Sequence, residues 1–258
     1  MRKPEPPTGK LTLLTKHKFL LFSLTMALIH LLPLPTVTAQ EKKPDTQLSK
    51  NVSNKLPAPI THYLGREIAQ TMHYTGAPWL IRDEREREER CSMMLANLGV
   101  KPGMTVCDMG CGNGFHTLQI AKLLSGKGQV LAVDVQPNML KLLRERMEEQ
   151  GIENVAPILG SYHSPRLPEK TVDLILLVDV YHEFSHPVPM LDAMKRSLKP
   201  DGLIVLVEFR AEDKEVPIKP LHKMSKEQIH REMNANGLKL VKEFDRLPWQ
   251  HMMFFRIE

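Results

Sequence analysis

Hydrophobic positions fall into two rhythms along the second half of the chain. Near-continuous apolar runs occur at Thr105–Met109, Gln129–Val133, Val155–Leu159, Val172–Val178 and Leu203–Glu208, the signature of strands buried on both faces. Between them, residues 115–125, 137–150 and 188–198 carry apolar side chains at helical spacing. Strand and helix in alternation predict a parallel sheet covered on both sides. Further on, Ser225 with Gln228 three residues later reads as a capping box opening another helix. Two more strand-like runs, Leu238–Phe244 and Met252–Ile257, are joined through Leu247-Pro248-Trp249 and predict an antiparallel pair at one sheet edge. The expected fold class is α/β: a doubly wound, mostly parallel seven-stranded sheet, with ligands beyond the carboxyl ends of its central strands. Ahead of the first strand, residues 81–100 mix charge with Met93, Met94, Leu95 and Leu98. That stretch predicts a helix on which Glu86 pairs with Arg90 one turn on, with the Arg82–Arg90 run as a solvated face without function.

The N-terminus follows a different pattern. Lys10, Lys16 and Lys18 precede an apolar run from Phe19 to Leu34, followed by Val37-Thr38-Ala39. This order predicts a secretory signal peptide over residues 1–39, cleaved after Ala39. The run is short for a spanning helix, and an uncleaved anchor is the alternative. Residues 40–60, rich in Lys, Ser, Asn and Pro, read as a flexible linker. Residues 61–84 read as an extension or cap, and 85–258 as the folded domain.

Composition sharpens the picture in three ways. With 258 residues, 42% hydrophobic and 25% charged, collagen-like, coiled-coil and wholly disordered chains are excluded. The net charge of +5 comes mostly from the signal, which holds five of the 35 basic residues and one of the 30 acids. The remainder is nearly neutral, so nucleic acid is set aside as a partner. Three cysteines make no disulfide framework, and Cys107 and Cys111 are expected as buried thiols.

The chemistry concentrates in Val106-Cys107-Asp108-Met109-Gly110-Cys111-Gly112-Asn113-Gly114-Phe115, which ends a strand and opens a helix. Gly110 and Gly112 allow close backbone approach to a ligand. Asp134 ends the second strand, where a carboxylate accepts both hydroxyls of a ribose. A dinucleotide loop would need a glycine where Phe115 stands; here the spacing is D-x-G-x-G-x-G, with an acid that suits a cationic amino-acid group.

This set resembles the class I S-adenosylmethionine-dependent methyltransferases over roughly residues 85–258, with a Rossmann-like fold. The likeness is greatest to the small-molecule branch, similar to quinone-biosynthesis-type enzymes and to a group of bacterial members. The resemblance implies S-adenosylmethionine as cofactor and a small-molecule methyl acceptor. Membrane contact is expected only through the N-terminal signal or anchor, and the sequence points to no protein partner. It also implies roles for individual residues. Asp108 would meet the methionine amino group directly or through water. Gly110, Cys111, Gly112, Asn113 and Gly114 would form the loop, with Asp134 and Val135 at the ribose. Asp179, ending strand four in LILLVDVYHEF, would lie beside the methionine and the acceptor. After strand three many members carry an acid near the adenine; here Gly160 is followed by Ser161-Tyr162-His163, with Ser161 the candidate in its place.

A second motif competes. His182-Glu183-Phe184-Ser185-His186 spells H-E-x-x-H, the zinc-peptidase pattern, which needs both histidines on one helix. Pro187 biases His186 away from helical geometry, so no metal is expected at this pair. His182 and Glu183 are instead the catalytic candidates, His182 as a base for the acceptor or as a positioning residue. His222 and His251 follow later strands toward the same mouth, and Tyr74, Trp79 and Tyr181 offer apolar walls. The alternatives are an exported zinc metallopeptidase and a methyltransferase-fold module that binds a ligand without catalysis. An exported or periplasmic location follows from the signal; a start near Met72 would make the protein cytoplasmic.

Overall fold

The structure is a computed structural model in which residues 58–258 are described. The signal or anchor over 1–39 and the linker up to residue 57 lie outside the described residues. Among the described residues, no helix is long and apolar enough to cross a membrane.

Seven strands form the main sheet: β1 (Thr105–Met109), β2 (Gln129–Asp134), β3 (Val155–Leu159), β4 (Val172–Val178), β5 (Leu198–Arg210), β6 (Leu238–Phe244) and β7 (Gln250–Ile257). Their spatial order is 3-2-1-4-5-7-6, with a two-residue strand, Lys223–Met224, beside the end of β5. The first five run parallel, and β7 enters antiparallel between β5 and β6. The doubly wound sheet and its antiparallel edge are therefore as the apolar rhythm predicts.

Period-two alternation divides the interior. Val106, Leu174, Leu176, Val205 and Val207 face one side. There they meet α2 (Cys91–Leu98), α3 (Phe115–Leu123) and α4 (Pro137–Gln150). Cys107, Ile175, Leu177, Ile204 and Leu206 face the other, against α5 (Pro187–Ser197) and α6 (Lys226–Ala235). Each central strand is thus apolar on both faces because each face has its own helical layer. β5 starts earlier than its apolar run, since Leu198 pairs with Val172 before a register shift brings Leu203 opposite Leu174.

The helix expected over residues 81–100 is two helices. α1 (Arg85–Glu89) ends where Arg90 adopts φ 50°, and α2 begins at the next residue. The Glu86–Arg90 ion pair does not form, because the Glu86 carboxylate accepts from the Ser92 amide and hydroxyl instead. The break also turns Arg85 and Glu89 inward, where both are buried, so the solvated-face expectation holds for Asp83, Glu84, Glu86, Arg87 and Arg90 but not for these two. At Ser225 only half of the capping box is present. Its hydroxyl accepts from the Gln228 amide, while the Gln228 side chain donates to Leu64 and Glu232.

An N-terminal segment crosses the carboxyl edge of the sheet. Its hairpin, His62–Tyr63 with Arg66–Glu67, is clamped by Arg66, which donates to both carboxylate oxygens of buried Glu232 at 2.7 and 3.0 Å and to the His182 carbonyl at 2.8 Å. A 3-10 turn, Tyr74–Ile81, follows.

Candidate active site

A cavity of about 500 Å³ opens at the carboxyl ends of β1, β2 and β4 and is roofed by residues 71–82. At one end the glycine loop wraps around the sheet edge. The amides of Gly110 and Cys111 both donate to the Val133 carbonyl, and the Gly112 amide donates to Asp134 Oδ2 at 2.9 Å. Gly110, Gly112 and Gly114 all have positive φ. A Cβ at Gly110 would come within 2.5 Å of Val180, and one at Gly112 within 2.6 Å of Leu80. The loop therefore has to be glycine both for its turn and for what lies against it.

Asp134 is positioned by two backbone donors, Gly112 to Oδ2 and Gln136 to Oδ1 at 2.8 Å. Asp134 lines the cavity, and a carboxylate oxygen accepts more than one donor, which is what a ribose diol needs. Burial raises its pKa against the pull of those amides. Gln136 then reaches over the cleft, accepting from the Tyr74 amide and donating to the Met72 carbonyl, both at 2.8 Å. Asn113 donates to the Ala77 carbonyl at 3.0 Å. The roof is thus hydrogen-bonded to the loop it covers.

Of the expected cofactor residues, Gly110, Gly112, Asp134, Val135 and Asp179 line the cavity, and so do His182 and Glu183. Five others do not. Asp108 sits behind the loop and accepts from the Thr117 hydroxyl at 2.5 Å, which ties β1 to α3; burial pushes its carboxyl up to about 6. Cys111 is a buried free thiol, as are Cys91 and Cys107. Asn113 serves the roof, and Gly114 lies against Leu143. Ser161 turns into its own tight turn with Ser164, leaving neighbouring Tyr162 at the cavity.

The opposite end is polar. Asp179, in the left-handed region at φ 54°, accepts from Gln250 through Oδ2, while buried Oδ1 has no partner among the described residues. Burial and the charges of Glu89 and Glu208 hold its carboxyl well above the carboxylate range. Arg85 donates to Glu89 at 2.8 Å and to the Leu80 carbonyl at 2.7 Å, and stacks over Phe115. Arg82 stacks on Trp79 at 3.7 Å.

His182 lies in a short turn, Tyr181–Glu183, directly after β4, and is fully buried. Its Nδ1 is 2.6 Å from Glu208 Oε2, and its Nε2 is 3.1 Å from His222 Nδ1. Burial alone would lower the His182 pKa, but the Glu208 carboxylate outweighs it and the net shift is upward. His222 shifts down, through burial and the neighbouring His182. Glu183 accepts from the Met72 amide at 3.2 Å and is pushed up to about 7 by burial.

Helical H-E-x-x-H geometry is absent. Phe184 is extended, His186 has φ −135° and ψ 60°, and α5 starts at Pro187. His251 is buried in β7 against Glu212, Tyr181 is core, and Tyr74 does not reach the cavity; Trp79 does. Sequence reasoning missed Gln136, Arg82, Arg85, Glu89 and Glu208. Only Glu208 carried a signal, as the one acid in the apolar run LIVLVEF.

These residues fit S-adenosylmethionine. The glycine cradle excludes any Cβ, Asp134 offers free lone pairs beside it, and Asp179 presents a buried oxygen without a donor. A family profile described as a methyltransferase domain matches residues 100–250. The ubiquinone/menaquinone biosynthesis C-methyltransferase of Shewanella oneidensis is 30% identical over 119 residues, 46% of this chain and 47% of that protein. The enzyme of the same name from Marinomonas is 29% identical over 123 residues, 47% of this chain and 49% of that protein. The chain thus spans about half the length of the curated relatives it matches. Among solved structures, an S-adenosylmethionine-dependent methyltransferase from Aquifex aeolicus aligns with TM-score 0.69 and 25% identity, covering 73% of this chain and all of that one. Loop, strand order and profile agree, and the chain belongs to the methyltransferase-domain family, among the class I S-adenosylmethionine-dependent methyltransferases.

Proposed function

We propose that the protein transfers a methyl group from S-adenosylmethionine to a small-molecule acceptor. The observation that carries this reading is the joining, in one cavity, of the glycine loop and Asp134 at one end with Asp179, His182, Glu183 and His222 at the other. When bound, the cofactor supplies an electrophilic methyl carbon whose bond to sulfur breaks as the acceptor's lone pair arrives. Gly110, Gly112 and Asp134 hold the nucleoside end, and Asp179 Oδ1 accepts from the amino group or the acceptor. Trp79, Phe209 and Ile218 give the acceptor an apolar wall. Met72, Trp79 and Leu80 cover the cavity from the N-terminal side, which favours alignment of the two reactants.

His182 points at His222 rather than into open space, so the two act together. Glu208 fixes the tautomer, and the His182–Glu183–His222 group meets the reacting heteroatom and its proton. Asp108 supports the loop from behind, which is a narrower part than contact with the amino group. The test is incubation with methyl-labelled S-adenosylmethionine and a small-molecule extract. Label should enter the extract, and His222→Ala should abolish transfer while cofactor binding persists. Cofactor binding with no labelled product from any extract would favour the non-catalytic module.

Residues 1–39 support export of this domain, with 40–60 as spacer and 61–84 as the cap. Mass spectrometry of the chain recovered from whole cells and medium should then find an N-terminus near Gln40, whereas an intact Met1 would point to an anchor or to cytoplasmic residence.

A further inference from the structure

One ligand atom from each of His182, His222 and Glu183 lies within 4.8 Å of the other two, and His182 Nε2 is 3.1 Å from His222 Nδ1. They arrive from two places far apart in sequence, the turn after β4 and the 3-10 turn Pro220–His222 after β5. Two of the three are held from behind. Glu208, itself fixed by the Tyr181 amide at 2.9 Å, accepts a hydrogen bond from His182 Nδ1–H and so leaves the Nε2 lone pair facing His222. The Met72 amide holds one oxygen of Glu183. The His182 backbone carbonyl accepts from Arg66 and from the Ala69 amide, which anchors the turn. A carboxylate behind an imidazole whose other nitrogen faces two further donors is the usual outer shell of a metal-bound histidine. Two imidazoles and a carboxylate suit a divalent transition ion such as zinc or cobalt, and three protein ligands leave a coordination position for substrate. All three residues line the cavity, so that position faces the acceptor chamber. Lys219, on the same wall, and Arg66, which donates to the His182 carbonyl, are the nearby cations that such an ion has to tolerate.

We propose that His182, His222 and Glu183 bind one divalent transition-metal ion, with Glu208 as the residue that positions His182. Its use, which rests on the methyl-transfer reading, is to take the acceptor's oxygen, nitrogen or sulfur at the open position. Coordination there makes that atom's proton easier to lose to water, and the freed lone pair then attacks the methyl carbon as the methyl–sulfur bond breaks and S-adenosylhomocysteine leaves.

The test uses the full chain, stripped with a chelator and titrated with Co²⁺ alone, followed by visible absorption, then with Zn²⁺ by calorimetry. The expected result is one ion per chain, with visible bands of a low-coordinate cobalt site. His222→Ala and Glu183→Gln, at half-buried positions, should each weaken binding about 100-fold or more, and Glu208→Gln about 10- to 100-fold. His62→Ala, on the exposed hairpin, should change nothing. Thermal stability and cofactor binding retained in His222→Ala show that the fold survives. No uptake by the wild-type chain, or uptake that His222→Ala leaves intact, would overturn the proposal. Because the metal alone is the probe, the outcome is independent of whether the cofactor binds. A chelated protein with full transferase activity would refute the role in activating the acceptor.

Discussion

Removing Arg66 tests how the N-terminal hairpin holds the catalytic turn. Its guanidinium makes two bonds to Glu232, at 2.7 and 3.0 Å, and one to the His182 carbonyl at 2.8 Å. Glu232 is fully buried, and the Arg66 side chain is 9% exposed. Arg66→Met leaves a buried carboxylate whose remaining side-chain partner is Gln228. Breaking one side of such a pair costs about 3–5 kcal/mol. For a folded part of this size, that lowers the melting temperature by about 6–20 °C. The His182 carbonyl stays satisfied by the Ala69 amide, so the loss reports Glu232 and little else. In the double variant Arg66→Met/Glu232→Leu no buried charge is left alone, and most of the loss should return. Urea denaturation at neutral pH measures all three proteins. A cost under about 1 kcal/mol for the single variant, or a double variant no better than the single, would refute the reasoning.

Two further perturbations separate neighbouring effects. Gly114 and Gly99 share φ 83°, but a Cβ at Gly114 meets Leu143 while one at Gly99 meets nothing. Gly99→Ala should cost only backbone strain, about 1–2 kcal/mol, and Gly114→Ala about 1–3 kcal/mol more from overpacking; equal losses in denaturation would deny the contact. Asp108, raised from 3.8 to about 6, binds its proton more tightly folded than unfolded. Its contribution is therefore most favourable below pH 3.8 and is lost as pH rises to about 6, by at most about 3 kcal/mol. Asp108→Asn should gain stability relative to wild type across that window, and a constant difference from pH 4 to pH 7, measured by denaturation, would contradict it.

What could be read from the sequence follows from how local each signal is. The central strands are legible because both faces of β1, β4 and β5 are buried, which leaves uninterrupted apolar runs. The glycine loop and Asp134 are legible because their turn chemistry is contained in consecutive residues. The run Arg82–Arg90 misleads because its direction is set by one left-handed residue, Arg90, and by a cavity that takes Arg85 and Glu89 inside. H-E-x-x-H has the right spacing, and Pro187, which counts against a helix through both histidines, starts a new helix directly after His186. His182 finds its partners in Glu208 and His222, 26 and 40 residues away, brought together only by sheet order. Asp108 and Ser161 have the right positions in the chain, but their side chains are engaged by Thr117 and Ser164.

The central claim, that the glycine loop and Asp134 hold S-adenosylmethionine, is tested most directly by calorimetric titration of the full chain with S-adenosylhomocysteine and then with S-adenosylmethionine. Both should bind one per chain. Asp134→Ala, which removes an acceptor bonded to the Gly112 and Gln136 amides, should weaken both by about 2 kcal/mol or more, roughly 30-fold. No heat from either ligand at millimolar concentration, in a folded and monodisperse sample, would contradict the account.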